Sequence, residues 1–282
     1  MKLSKRLEAI VDTAGRWVSG QEAKARNEIC AADVGTDHGF VPICLVERGI
    51  VGRALALDVG KGPLLRAQEH VQKRGLQERI ELRLGDGLNP IRPGEAQLVI
   101  LTGMGGELML RILRENEQVR RTVRGWIFSP QAEQALFRHG LEDLGLAIRE
   151  EEMIKEDGKY YTVMTAEPGD MHYQEEHLYR FGESRLQRQP AILKEYLERE
   201  IRQLERIQRQ LMENTDRESR AARKRLREVE SELWQARTAK EWIFKNTLGQ
   251  GEYPKEGTGE ENDEMPRTYG ETGGACTDLL CL

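Results

Sequence analysis

Short apolar runs alternate with amphipathic stretches from the start of the chain to about residue 168, the pattern of a parallel sheet covered by helices. The runs predict strands near Ile29–Val34, Ala54–Asp58, Ile80–Leu84, Leu98–Thr102 and Trp126–Ser129. Helical spacing of apolar positions predicts helices at Val41–Glu47, Pro63–Lys73, Glu107–Arg114 and Gln131–Leu144, the last ending at Gly145. Two further strands, Ala147–Ile154 and Tyr160–Ala166, flank "KEDGK", whose Asp157-Gly158 pair is a hairpin signal. From about Gln174 the period changes to that of long helices. Leu193, Leu197, Ile201, Leu204, Ile207 and Leu211 recur at three- and four-residue spacing, as do Ala222, Leu226, Val229, Leu233 and Ala236. Thr215, with Glu218 three residues on, reads as the N-cap of the second of these helices.

Five parallel strands closed by a hairpin is the profile of a class I (Rossmann-like) methyltransferase sheet, here followed by an antiparallel α-helical coiled-coil hairpin. The expected division is a cofactor domain over 1–168, a helical hairpin over 169–246 and an acidic, Gly-rich tail over 247–282. The tail is too poor in apolar residues to offset the entropy of ordering and is expected to be disordered. No window approaches the ~18 apolar residues of a membrane span. The first residues, "MKLSKRLEAIVDTAG", lack the apolar core of a secretory signal, so a cytoplasmic chain is expected. Cys30, Cys44, Cys276 and Cys281 show no CxxC pairing and read as free thiols, without a metal site. The net charge of −5 is uneven: residues 1–173 carry 24 basic and 26 acidic side chains, 174–245 carry 17 and 14, and 246–282 carry 2 and 8. The tail accounts for more than the whole deficit, so net charge does not argue against a nucleic-acid partner.

The first strand runs into "DVGTDHGF". A phosphate-cradling turn favours bare glycines, as in G-x-G-x-x-G. Here Gly35 and Gly39 are separated by a stretch containing Asp37 and His38, and the carboxylate would repel a pyrophosphate. A cofactor with a positive centre suits the turn better. S-adenosylmethionine has a sulfonium and an α-ammonium, which Asp33 at the strand end can hold through the turn or a water. Asp58, 25 residues on at the end of the second strand, can accept both ribose hydroxyls. Asp86 in "LGDGL" can accept from the adenine amino group, with Gly87 leaving room for the ring. In "LTGMGGE", Gly103 and Gly105 let backbone approach cofactor and substrate, while Met104 can pack on a flat ring. An Asp after a strand is also an ordinary cap or turn residue. Four such turns in order, all at the carboxyl-end rim where open α/β sheets bind ligands, narrow the choice.

The segments "KLSKRLEAI", "ADVGTDHGFVPI", "RLGDGL", "LTGMGGEL" and "KEDGKYYTVMTAEPG", spread from Leu3 to about Gly169, resemble the TrmK family, the bacterial tRNA adenine-22 N1-methyltransferases. The helical hairpin is similar to that family's C-terminal coiled-coil domain. The resemblance implies S-adenosylmethionine as methyl donor, tRNA as substrate and methylation at N1 of an adenine. The chain departs from the family after the fifth strand, where "FSPQ" stands in place of "LQPN", and in the tail.

Because N1 of adenine has an available lone pair, transfer to it needs alignment more than a strong base. The methylated ring is cationic, and a carboxylate beside it would stabilise that charge or take a proton from the amino group. Asp37 is the candidate catalytic residue. His38 is an orienter, or alternatively a turn side chain bonded to local backbone. Arg217, Arg220, Arg223, Lys224, Arg225 and Arg227 form a dense basic cluster, and Arg217, Arg220, Arg223, Lys224 and Arg227 are the candidate phosphate contacts. The alternative is a solvated helix face with ion pairs. Tyr160 and Tyr161 can stack on bases or serve the core. Three other classes are weighed: a methyltransferase for a small molecule or protein, which has no use for a basic hairpin; a non-catalytic helical scaffold or RNA-binding protein; and an NAD-linked oxidoreductase, against which the missing G-x-G-x-x-G argues. A monomer is expected.

Overall fold

The structure, a computed structural model, describes residues 3–22, 26, 28–183, 188–213 and 219–247. Its elements run α1 (Lys5–Ser19), β1 (Cys30–Val34), α2 (Phe40–Glu47), β2 (Arg53–Asp58), α3 (Lys61–Lys73), β3 (Ile80–Leu84), β4 (Leu98–Thr102), α4 (Gly106–Glu115), α5 (Glu117–Arg120), β5 (Gly125–Ser129), α6 (Gln134–Asp143), β6 (Leu146–Glu156), β7 (Lys159–Pro168), α7 (Glu176–Phe181), α8 (Pro190–Glu213) and α9 (Arg220–Thr247). All seven expected strands are present. The link from β3 to β4 carries no helix.

The strands form one sheet in the order β3-β2-β1-β4-β5-β7-β6. β1 to β5 are parallel and β7 is antiparallel to both β5 and β6. Because side chains alternate across a strand, β1 feeds two cores. Cys30, Ala32 and Val34 pack with Leu55, Val99, Met109, Leu113 and Phe137 under α4 and α6. Ala31 packs with Ala54, Ile100, Ile10, Ile43 and Val71 under α1, α2 and α3. Burial on both faces explains why the central strands read as continuous apolar runs. At the β6–β7 turn, Asp157 (φ 48°) and Gly158 (φ 73°) both adopt left-handed backbone, and Glu156 pairs with Lys159, so the turn is the expected two-residue hairpin.

α1 closes the sheet face by a close approach that only glycine permits. A Cβ on Gly125 would lie 2.2 Å from the Trp17 ring, and the Trp17 Nε1–H donates to Glu167 Oε1 at 2.9 Å.

α8 and α9 run antiparallel, as the pairs Glu205–Arg237 (2.9 Å) and Glu198–Lys240 (3.3 Å) require, with Leu204, Val229 and Leu233 between them. Two linked clusters tie the pair to the sheet. Arg138 of α6 is wholly buried and reaches Glu151 Oε1 of β6 through Nε (2.8 Å) and the guanidinium NH2 (2.7 Å). Another Arg138 nitrogen donates to the carbonyls of Tyr179 (2.6 Å) and Arg180 (3.2 Å) at the end of α7. The Arg180 side chain then pairs with Glu200 of α8 (3.5 Å) and Glu232 of α9 (3.3 Å). The described part of α9 starts at Arg220 with Ser219 Oγ accepting from the Ala222 N–H at 3.1 Å. The expected cap at Thr215 and Glu218, the candidate Arg217, Cys276, Cys281 and the tail from 248 lie outside the described residues.

Candidate active site

β1 ends in three left-handed residues, Gly35 (φ 76°), Asp37 (φ 49°) and Gly39 (φ 71°), which turn the chain into α2. Left-handed backbone is open to glycine and tolerated by aspartate, so the local sequence meets the geometry. The N–H groups of Gly35 and Thr36 both donate to Leu57 O at 2.9 Å, tying the turn to β2. Inside it, Asp33 is 3% exposed. Its Oδ2 accepts from the Thr36 hydroxyl at 2.7 Å. Burial pushes its carboxyl from an ordinary 3.8 up to about 7; the Thr36 hydrogen bond opposes this, and the nearby Asp58 charge adds to it.

Asp58 joins the turns after β1 and β2. Its two oxygens accept backbone N–H groups, from Asp37 at 3.1 Å and Gly60 at 2.8 Å. Each oxygen keeps a lone-pair site for a further donor. The Asp37 carboxylate is exposed and turns toward α3, where Arg66 NH2 donates to it at 3.1 Å; His38 Nε2 lies 3.5 Å from its other oxygen. His38 stacks on Phe40, and Phe40 on His70. The His70 Nδ1 lies 2.8 Å from His38 O, whereas His38 Nδ1 is buried with no partner among the described residues.

The fourth turn folds over the first. The Met104 methyl lies 3.2 Å from where a Gly35 side chain would begin, while the space beside Gly103 (φ 80°) is open. Gly105 precedes α4, whose first N–H groups are satisfied from the β5–α6 loop: Glu107 N donates to Glu133 Oε2 at 2.9 Å and Gly106 N to Ala132 O at 3.2 Å. Asp86 stands in the third turn with Arg111 of α4 3.6 Å away. Gly87 is left-handed (φ 56°), and a Cβ there would lie 3.0 Å from Ile112 of α4. Asp33, Gly35, Asp37, Asp58 and Met104 are therefore brought together, with Gly103 and Gly105 beside them and Asp86 at the next strand end. Thr36, Arg66, Arg111 and Glu133 were not anticipated. Arg66, Arg111 and Glu133 each act through a partner on another element, and only Thr36, three residues after Asp33, carried a local signal.

Residues 31–237 match the model of the TrmK family, tRNA (adenine(22)-N(1))-methyltransferase. The chain belongs to that family. Its activity is methyl transfer to N1 of an adenine in tRNA, and the small-molecule, scaffold and oxidoreductase alternatives give way to it. A tRNA (adenine(22)-N(1))-methyltransferase of Bacillus subtilis is 34% identical over 170 residues, 60% of this chain and 67% of that one. The crystal structure of B. subtilis TrmK superposes with a TM-score of 0.74 at 26% identity, over 85% of this chain and 99% of that one. Streptococcus pneumoniae Sp1610 in complex with S-adenosyl-L-methionine gives 0.72 at 26%, over 85% of this chain and all of that one. The TrmK match extends beyond the sheet through most of α9. Among the described residues no three metal-ligating side chains gather, and no helix is long and apolar enough to cross a membrane.

At the end of the TrmK hairpin where α8 gives way to α9, Arg220, Arg223, Lys224 and Arg227 are exposed. Lys224 lies 3.9 Å from Glu228, and Arg225 pairs with Glu228 and Glu232 at 3.1 and 3.0 Å. Toward the same end α8 adds Arg202, Arg206 and Arg209, exposed at helical spacing, a stripe not singled out in the sequence.

Proposed function

We propose that the chain methylates N1 of adenine 22 in tRNA with S-adenosylmethionine held at the carboxyl rim of β1 to β4, with Asp37 as its catalytic carboxylate and the α8–α9 hairpin as a second tRNA contact. The observation that carries this reading is the joining of the turns into one cradle: the Asp37 N–H on Asp58, and Met104 over Gly35. The cradle fits the cofactor. Asp33 is a buried acid with a hydroxyl and a second acid for neighbours, the environment that a cationic group relieves. Asp58 keeps acceptor capacity for hydroxyls, Asp86 is exposed for an amino group, and His38 offers the unpartnered Nδ1.

S-adenosylmethionine supplies, when bound, a methyl group activated by its sulfonium. The protein's part is alignment and electrostatics. Open backbone at Gly103 lets the adenine approach beside Met104. Asp37, oriented by Arg66 and His38, stabilises the positive charge that the ring acquires. Residues 1–168 form the cofactor domain and 169–246 the hairpin. The protein acts as a monomer in the cytoplasm without a metal.

Asp33 gives this reading a pH signature. Its folded value near 7 lies above its unfolded value, so the folded state binds more protons between about pH 4 and 7, and the protein's stability falls as pH rises through that window. A cationic ligand favours ionised Asp33. Calorimetry should therefore find S-adenosylmethionine binding tightening from pH 5 to about 7, by up to tenfold per pH unit, and level above it. Asp33→Asn should abolish the slope; a slope surviving in that variant removes Asp33 from the cofactor's positive end.

Reversing Arg220, Arg223 and Arg227 to Glu should weaken tRNA binding and lower the slope of log affinity against log salt by up to ~3 units, about one for each phosphate no longer neutralised. The helix pair should survive, since Leu204, Val229 and Leu233 are untouched. Parental tRNA affinity at physiological salt would move the RNA footprint off the hairpin.

A further inference from the structure

A second concavity of about 370 Å³ lies beside the cradle. Pro130 and Gln131 follow directly on β5, and the Gln131 N–H donates to Met104 O at 3.0 Å, so the concavity opens one loop away from the cofactor turns. Its other walls are the tip of the β6–β7 hairpin, with Lys159, Tyr160 and Tyr161, and α8, with Tyr196 and Arg199. The Tyr160 and Tyr196 rings lie 5.2 Å apart, tilted by 59°. Cations crowd these rings: Lys155 Nζ and Arg199 Cζ stand 5.7 and 5.8 Å from the Tyr160 centroid, and Arg6 Cζ 5.3 Å from that of Tyr161.

The acids nearby are compensated. Glu200 pairs with Arg180 and Glu195 with Lys155. Arg199 donates to the Gly158 carbonyl, and Lys159 has no ion pair among the described residues. Aromatic faces beside unneutralised cations are the chemistry of an unstacked nucleotide, with base on ring and phosphate on guanidinium or ammonium. The volume sits at the low end of small-ligand sites, about 300–1,000 Å³, which suits one nucleotide and excludes a duplex.

We infer that this concavity holds a tRNA nucleotide neighbouring the target adenosine, its base against Tyr161 and its phosphate on Arg199 and Lys159. The inference rests on the tRNA reading above. The target base itself must reach the turn at Gly35 and Met104, so the place beyond Met104 is left for a neighbour in the strand. α8 thereby becomes part of substrate positioning, since it supplies one wall.

The test uses the full chain and the variants Tyr161→Ala, Tyr161→Phe and Arg199→Ala, with KM for tRNA, tRNA affinity by filter retention and S-adenosylmethionine affinity by calorimetry. Tyr161→Ala and Arg199→Ala should raise KM and weaken tRNA binding about tenfold. Tyr161→Phe, which keeps the ring, should match the parent, and Arg199→Ala should lower the salt slope by about one. Cofactor affinity should not move in any of them. Parental tRNA affinity in Tyr161→Ala, or a Phe variant as impaired as the Ala one, overturns the inference. So does tight binding of adenosine monophosphate that the variants lose, which would mark a free-nucleotide site. Filter retention reads the concavity without catalysis, so a parent that binds tRNA but transfers no methyl would fault the proposed reaction and leave this inference to be decided by the variants.

Discussion

Asp37→Asn is expected to slow methyl transfer about 10²-fold or more while leaving the melting temperature and the affinity for S-adenosylmethionine close to the parent's. The substitution is chosen for its backbone. Asp37 sits at φ 49°, a left-handed conformation that asparagine tolerates about as well as aspartate and alanine does not. The contact that joins the turns is made by the Asp37 N–H to Asp58, and the change leaves it intact. What disappears is the negative charge held between Arg66 and His38. The expected loss therefore appears in turnover with saturating tRNA and cofactor. Near-parental turnover would leave Asp37 a turn residue, and a fall in melting temperature with weak cofactor binding would make its role structural.

Arg138→Ala is expected to cost about 3–5 kcal/mol of stability by urea unfolding, the penalty for stranding a buried partner charge. Arg138 and Glu151 are both fully buried, and Glu151 Oε2 has no partner among the described residues, so no second cation stands ready to replace the guanidinium there. The same side chain holds the Tyr179 and Arg180 carbonyls, from which Arg180 reaches both hairpin helices. Removing both charges with Arg138→Met and Glu151→Leu should recover much of the loss, as apolar replacement of a buried pair does elsewhere. An Arg138→Ala protein within about 0.5 kcal/mol of the parent would show that the pair contributes nothing net.

These two residues illustrate what the sequence could and could not disclose. Strands β1, β4 and β5 were legible because burial on both faces demands unbroken apolar runs. Asp157-Gly158 was legible because few dipeptides accept two left-handed residues in succession. The acids at the strand ends were legible because the rim of a parallel sheet is where ligands bind. Their partners were not. Arg66 lies 29 residues from Asp37, Glu133 is 26 from Glu107, and Arg138 looks like any arginine on an amphipathic helix. Nor does a glycine after a strand say which neighbour lies against it, at Gly87 the Ile112 side chain of α4. The short helices α5 and α7, of 4 and 6 residues, are too brief to show a period.

The central claim is tested most directly by incubating the full-length protein with methyl-labelled S-adenosylmethionine and a tRNA carrying adenine at position 22, then digesting the product to nucleosides. The account predicts label in 1-methyladenosine, abolished when position 22 is changed to guanine and reduced about 10²-fold with Asp37→Asn. Label in N6-methyladenosine or in another base, or 1-methyladenosine that persists after the change at position 22, would contradict it.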